Sequence, residues 1–302
     1  MARVGLITTH AEALADEEHV DTEPLAEALS RNGIPAEAVV WHEPRDWSCY
    51  DAVVFRSPWD YPERMTEFMD WMAATETQVR MINSPQLIRW NLDKRYLSEL
   101  AAHGVECVPT TFCATLDEAS AALQHHAPGN VVVKPSISIG SRHTGLFSAA
   151  QPEALELCRQ ILQQNKVVMV QPEIEAIQQD AERGLLFFNG RHSHTIVKGA
   201  ILKPGGGYHG GRYIENIRPA DPTPAEVALG ERAMAAIHTI ATAKGWGEDA
   251  AVPLYARIDV VTPPRTAPLL LEAELFEPAM FVKFSDGALE RFVEAIRTKL
   301  GD

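Results

Sequence analysis

Arg257-Ile258-Asp259 and Glu272-Ala273-Glu274 are the residues of this chain best placed to do chemistry. From Tyr255 to Val261, Arg257 and Asp259 alternate with Ile258 and Val260; from Leu269 to Leu275, Glu272 and Glu274 alternate with Leu271, Ala273 and Leu275. Such alternation marks strands, and side chains two apart on a strand share a face. The intervening Thr262 to Pro268 (TPPRTAP) is turn chemistry, so the two strands are expected to pair as a hairpin. Three carboxylates and a guanidinium then meet on one face. The carboxylates repel one another unless compensated, and oxygen-only ligands favour Mg²⁺, which makes Asp259, Glu272 and Glu274 candidate metal ligands. The plainer alternative is a solvated hairpin face. Leu269-Leu270-Leu271 argues against it, because charges at the end of a buried strand need a partner.

Other segments offer complementary chemistry. Val131-Val132-Val133-Lys134 reads as a strand ending in a lysine, followed by Ser136-Ile137-Ser138-Ile139-Gly140-Ser141-Arg142. Small residues let backbone N–H groups approach a phosphate, and the lysine supplies a fixed charge. An ordinary strand exit with a solvated lysine reads the same way. Gln171-Pro172-Glu173-Ile174 is a hinge or a plain turn. Gly205 to Gly211 holds five glycines in seven residues and leads to Arg212, which suits a lid over a phosphate or carboxylate, or a disordered surface loop. His192, His194 and His209 lack a cysteine or a third ligand at zinc spacing, so surface or core histidines are expected. After the first strand comes Thr8-Thr9-His10, and after the third Arg56-Ser57-Pro58-Trp59-Asp60-Tyr61. Ligands of open α/β sheets sit beyond the carboxyl ends of the strands, so Thr9, Arg56 and Asp60 are candidate substrate contacts. Packing aromatics with a local Arg56–Asp60 ion pair is the alternative.

The elements that must position these residues begin with Val4 to Thr8 as a buried strand. A helix from about His19 to Ser30 follows, closed by Asn32-Gly33. Strands near Ala38 to Trp41 and Ala52 to Phe55, a helix carrying Met65, Phe68, Met69 and Met72, and a strand at Val79 to Ile82 complete a β-α-β alternation, which predicts a small parallel sheet. The first turn has no GxGxxG, so a dinucleotide fold is disfavoured. Asn83-Ser84-Pro85 marks an exit. Beyond it are expected a helix at Asp93 to Ala102, a strand at Cys107 to Phe112, a helix opened by the capping box Thr115 to Glu118, a helix at Pro152 to Gln163 and a strand at Val167 to Gln171. Asn189-Gly190 joins Leu185–Phe188 to His192–Val197 as a type I′ hairpin. Helices at Pro224 to about Lys244 and Asp286 to Lys299 flank the acidic hairpin.

A chain of 302 residues holds two or three compact domains. Its net charge of -14 argues against nucleic acid or an anionic membrane as partner, but not against a nucleotide in a locally basic cleft. There is no apolar run of transmembrane length, no signal-peptide pattern, and Cys49, Cys107, Cys113 and Cys158 show no CxxC spacing; a cytoplasmic protein with reduced thiols is expected.

In this order the parts resemble the ATP-grasp carboxylate–amine/thiol ligases, which include D-alanine–D-alanine ligase and glutathione synthetase. The resemblance spans essentially the whole chain. It implies an α/β, overall α+β, ATP-grasp fold: an N-terminal parallel α/β domain over residues 1–88, a central lobe over 89–170 and a C-terminal lobe over 171–302, with ATP between the lobes. It implies that Lys94 and Lys134 are the nucleotide-binding lysines and that Ser136 to Arg142, with Ser138, Gly140 and Ser141, is the loop over the phosphates. Gln171, Pro172, Glu173 and Ile174 become the adenine hinge, Glu182 the ribose residue and Lys198 a basic group near the phosphates. Arg212 stabilises the transferring phosphoryl group, with Arg257 in support, and Asp259, Glu272 and Glu274 bind Mg²⁺. Many relatives read Glu-x-Asn where this chain has Glu272-Ala273-Glu274. Val54 to Tyr61, Arg89 to Lys94 and Glu274 to Pro278 resemble a subgroup of small enzymes that includes the cyclising ligase of D-cycloserine biosynthesis. That subgroup implies activation of the carboxylate of a small amino-acid-like substrate, O-ureido-D-serine, and ring closure to D-cycloserine with release of ADP and phosphate. An intermolecular amino-acid or peptide ligase and a nucleotide-binding module without turnover are the alternatives. A homodimer is the assembly the resemblance favours.

Overall fold

The computed structural model describes residues 2–15, 17, 19–138, 142–174, 182–200, 202–205, 207 and 216–301. Its first sheet joins β1 (Val4–Thr8), β2 (Ala36–Val40), β3 (Ala52–Ser57) and β4 (Arg80–Ile82), all parallel, in the order β2-β1-β3-β4. The chain crosses between strands through the helices Thr22–Arg31 and Met65–Thr75. β1 and β3 are buried along their whole length, as their Val, Ile and Phe content requires of central parallel strands.

The second sheet is antiparallel: β5 (Thr111–Cys113), β6 (Asn130–Pro135), β7 (Gly145–Ser148) and β8 (Val168–Pro172), in the order β5-β8-β6-β7. The helices Leu116–His126 and Pro152–Gln163 cover it through Leu123, Cys158 and Ile161. The Thr115–Glu118 capping box is present at the first of them. The third sheet, also antiparallel, runs β11-β10-β9-β12-β13, with β9 (Glu182–Phe188), β10 (Arg191–Lys198), β11 (Ile217–Ala220), β12 (Tyr255–Val261) and β13 (Leu269–Glu274). Helix Pro224–Ala243 packs Leu229, Ala233 and Ile237 onto Leu185, Phe187 and Ile258. Asn189 and Gly190 have φ of 45° and 75°, the two positive values that a type I′ turn requires. These sheets and helices have the fold of an ATP-grasp ligase. The divisions expected at 88/89 and 170/171 each cut an element, the helix Pro85–Asn91 and strand β8.

Several boundaries differ from the sequence reading, each for a tertiary reason. The helix expected from His19 starts at Thr22, because the Asp21 carboxylate accepts from the backbone N–H groups of Met280 (2.7 Å), Phe281 (3.0 Å) and Val282 (3.3 Å). The helix expected from Asp93 starts at Tyr96; the Lys94 N–H donates to the Ser136 carbonyl (2.8 Å) and holds that turn on the second sheet. The strand expected over Cys107 to Phe112 is split. Val108 and Glu106 bond to Leu270 of the third sheet, whereas Thr111–Cys113 pairs with β8. Ser84-Pro85, read as an exit, is a helix start with Ser84 capping Leu87 N–H. β7 and β11 are short strands with no sequence expectation behind them, and Pro219 confines β11 to an edge.

His192 and His194 do not share a simple strand face, since the β9–β10 register shifts between them. His192 Nε2 meets Thr195 Oγ1 at 2.8 Å, and His194 Nε2 lies 2.8 Å from the Met280 carbonyl. A carbonyl only accepts, so Nε2 of His194 carries a proton. Its Nδ1 then accepts from Ser193 Oγ (2.9 Å), which in turn accepts from Arg291 Nε (2.8 Å). This chain of bonds suits a neutral imidazole.

Burial pushes the His194 imidazole down to about 4, opposed by its bond to Met280. In the unfolded chain it titrates near 6.5, so its contribution is complete above that value and is lost as pH falls from there towards 4. Urea unfolding should show a loss of about 2 kcal/mol between pH 7.5 and pH 5 from this group. His194→Gln should flatten that pH dependence; an unchanged slope would contradict the assignment.

Candidate active site

β12 and β13 place Arg257 opposite Glu274 and Asp259 opposite Glu272. Ile258 and Val260 on β12, with Leu270 and Ala273 on β13, belong to the core beneath the helix Pro224–Ala243, so the charged face turns the other way. Its centre is Asp259, with a side chain 2% exposed. Arg257 donates to it from Nε (2.9 Å) and Nη2 (3.0 Å), and Lys198 from Nζ (2.7 Å). Arg257 also bonds Glu274, and Lys198 also bonds Glu182, the residue opposite it on β9. Gly184 of β9 makes room for the cluster, since a Cβ there would stand 3.1 Å from Asp259 Oδ1 and 3.2 Å from Arg257 Cδ. Burial alone would raise the Asp259 carboxyl, but Arg257 and Lys198 outweigh it and hold it below the usual range. At Glu274 burial and the negative charge of Asp259 prevail over Arg257, and the carboxyl rises to about 8; at Glu182 burial prevails over Lys198, and it rises to about 7.

Two further lysines face this platform. Lys94 donates to Glu272 Oε1 (3.0 Å) and to the Ser138 carbonyl (3.0 Å). Lys134, at the end of β6, has no carboxylate within 4.0 Å among the described residues, and burial lowers its pKa, with Glu272 only partly compensating. An ammonium recessed without a counter-ion is a seat for an anion.

Between the lysines and the carboxylates lies a cleft of about 560 Å³. Lys94, Lys134, Ser138, Gln171, Pro172, Glu173, Ile174, Glu182, Lys198, Arg257, Asp259, Glu272 and Glu274 all line it. Gln171 is fixed by its bond to Thr110 Oγ1 (2.8 Å), and Glu173 by Asn130 (2.8 Å), so the end of β8 is a held edge with backbone groups at the cleft. Gly140, Ser141 and Arg212 lie outside the described residues.

Thr9, Arg56 and Asp60 do not line the cleft. Thr9 is buried and joins Ser57 through its N–H (3.2 Å). Arg56 is 1% exposed; its guanidinium lies over the Tyr255 ring (4.7 Å) and donates to the carbonyls of Phe55 (3.1 Å) and Pro278 (2.5 Å). Asp60 accepts from Trp41 Nε1 (2.8 Å) and Arg64 Nη1 (3.4 Å), so the expected local pair forms with Arg64 instead of Arg56. The cleft's end beside the first sheet is instead lined by Glu17, His19, Trp59, Tyr61, Phe276 and Glu277. Trp59 and Tyr61 stand in the segment that sequence reading singled out, and the alternation of that segment was too short to say which of its residues point outward.

Asp259, Glu272 and Glu274 supply hard oxygen donors to one cleft, a set that fits Mg²⁺. Among the described residues, however, no three such side chains converge as a preformed metal site. The reason is local: Asp259 is held by Arg257 and Lys198, Glu274 by Arg257 and Glu272 by Lys94. The platform is arranged as an ion-pair network.

Comparison with known proteins converges on one family. The family description "D-cycloserine synthetase DcsG, N-terminal domain" matches residues 4–83. The cycloserine biosynthesis protein DcsG of Streptomyces lavendulae is 35% identical over 98% of this chain and 99% of its own. A crystal structure of D-cycloserine synthetase DcsG superposes with a TM-score of 0.87 at 33% identity, covering 99% of both chains. D-alanine–D-alanine ligase from Bacillus anthracis, solved in complex with ATP, shares the fold at a TM-score of 0.66 and 14% identity, covering 99% of this chain and 97% of its own.

Lys134→Met separates stability from binding. Removing an unpaired recessed charge should leave the unfolding midpoint unchanged or raise it, while ADP binding measured by calorimetry weakens about a hundredfold. A destabilised variant with unchanged ADP affinity would contradict the anion seat.

Proposed function

Because the chain belongs to the D-cycloserine synthetase DcsG family, we propose that it uses ATP and Mg²⁺ to close the ring of O-ureido-D-serine, giving D-cycloserine, ADP and phosphate, with the carbamoyl group lost to one water as carbon dioxide and ammonia. The observation supporting this most strongly is the opposition, across one cleft, of lysines that suit a polyphosphate and carboxylates that suit a hard cation.

Adenine would lie against the backbone of Gln171–Ile174, and Glu182 is near enough to the platform to serve the ribose. Lys94, Lys134 and Lys198 would hold the phosphates. Asp259, Glu272 and Glu274 would hold Mg²⁺, which when bound neutralises phosphate charge and orients the transferring group. The substrate carboxylate attacks the γ-phosphorus, ADP leaves, and an acyl phosphate forms. The ureido nitrogen bonded to oxygen then attacks the acyl carbon, phosphate departs with the bonding electron pair and takes up the nitrogen's proton, and water removes the carbamoyl group as carbamic acid, which breaks down to carbon dioxide and ammonia. Lys134, recessed and without an ion-pair partner among the described residues, is suited to the charge that builds on the transferring oxygens. Arg257 is committed to Asp259 and Glu274, so its part is to set the carboxylates. Stabilisation of the acyl intermediate is then left to Arg212, in the glycine-rich segment expected to shield it from water. A small amino-acid-like substrate, a cytoplasmic location and a homodimer complete the reading.

Incubation with ATP, Mg²⁺ and O-ureido-D-serine, with no second amine, should release phosphate in step with the cyclic product. Phosphate release only on adding an amine would point to an intermolecular ligase, and ATP binding without phosphate release to a non-catalytic module. Asp259→Asn should lower kcat/KM for ATP by about a hundredfold or more, the scale of a lost charge-stabilising group. Full turnover by that variant would remove Asp259 from the metal set.

A further inference from the structure

Glu277 differs from the carboxylates of the platform. Glu182, Asp259, Glu272 and Glu274 each have a lysine or arginine nitrogen within 4.0 Å. Glu277 lines the same cleft, yet among the described residues no lysine, arginine or histidine nitrogen lies within that distance of it. Its carboxylate faces two neutral donors, the Tyr61 hydroxyl and its own backbone N–H. Its position is fixed on both sides. The Glu277 carbonyl accepts from Trp59 Nε1 (3.0 Å), and the next residue, Pro278, gives its carbonyl to buried Arg56 (2.5 Å). Around it stand the rings of Trp59, Tyr61 and Phe276, with Tyr61 and Phe276 centroids 5.1 Å apart. A carboxylate recessed among aromatic rings with only neutral donors is under-compensated, and a cationic ligand group completes it. Aromatic faces beside an ammonium add to the attraction.

Resting on the ligase reading above, we propose that Glu277, oriented by Tyr61, receives the α-ammonium group of the amino-acid substrate and makes the enzyme select ammonium-bearing acids over their desamino counterparts. Lys134 and Glu277 then divide the labour in one cleft: the lysine takes the phosphates and the glutamate takes the amine. Both line the same cleft as Asp259, Glu272 and Glu274. The reacting carboxylate and the ammonium of an α-amino acid are adjacent on one carbon, so fixing the ammonium fixes the carboxylate that must meet ATP.

The test compares O-ureido-D-serine with 3-(ureidooxy)propanoic acid, which lacks the α-amino group, in the wild type, Glu277→Gln and Glu277→Asp. ADP affinity serves as the control for folding and the nucleotide site. The wild type should prefer the amino compound by about a hundredfold in kcat/KM, the scale of one charge-assisted contact. Glu277→Gln should lose that preference mainly through KM, with ADP affinity kept within about twofold; Glu277→Asp should retain part of it. If Glu277→Gln keeps the full preference, or if it loses ADP binding in parallel while Glu277→Asp keeps the preference unchanged, the assignment is overturned. Failure of ring closure is a separate result. If O-ureido-D-serine is turned over only with an added amine, the cyclase reading falls, while the preference for the amino compound still decides the role of Glu277.

Discussion

Charge buried away from water must meet opposite charge, and the cleft of this protein is organised around that requirement. Asp259 is the hub. It is almost fully enclosed and ionised, and it draws in Arg257 from its own strand and Lys198 from β10. Those two cations carry Glu274 and Glu182 with them, and Lys94 brings in Glu272 from the opposite wall. The network commits most of its members to one another. Lys134 and Glu277 are among the cleft groups left without an opposite charge within 4.0 Å among the described residues, and ligand charge has much to gain beside them.

The first sheet is locked onto this platform by polar groups that are themselves buried. Asn83, directly after β4, donates to the carbonyls of Tyr255 (3.0 Å) and Leu275 (2.7 Å) and accepts from the Leu254 N–H (2.7 Å). The Tyr255 hydroxyl reaches the carbonyls of Phe55 and Phe276, each at 2.7 Å, and Asn91 extends the edge of β13 through Ala273 and Leu275. With Asp21 gathering the N–H groups of residues 280–282 and Arg56 holding Pro278, the segment after β13 is fastened to the sheet that carries Trp59 and Tyr61. Each bond to a buried partner is worth about 1 kcal/mol, and more where a charge takes part. The greater effect is positional: loops at the carboxyl ends of β1 and β3 are held against the end of β13.

The parts that were legible in sequence are those governed by local periodicity. Alternation in 255–261 and 269–275 is enough to put Asp259, Glu272 and Glu274 on one face of a hairpin, and Val131–Lys134 is enough to aim a lysine at a strand end. Asn189-Gly190 dictates its turn through the φ values it must adopt. What was not legible depends on contacts between distant segments. Arg56 looks like a ligand residue until Pro278 and the Tyr255 ring claim it. Asp21 looks like the interior of a helix until residues 280–282 claim its carboxylate. Ser193 looks like one step of a regular strand until the register shift around it separates two histidines. Glu277 lies in an irregular segment with no period to mark it, and only the census of its neighbours makes it unusual.

The central claim is that ATP activates the substrate's own carboxylate. O-ureido-D-serine labelled with ¹⁸O in both carboxylate oxygens tests it directly, by mass analysis of the phosphate and of the cyclic product. Transfer of one ¹⁸O to inorganic phosphate per turnover, with the other retained in the ring carbonyl, is the expected result. Phosphate free of ¹⁸O, with its new oxygen drawn from water, would contradict it.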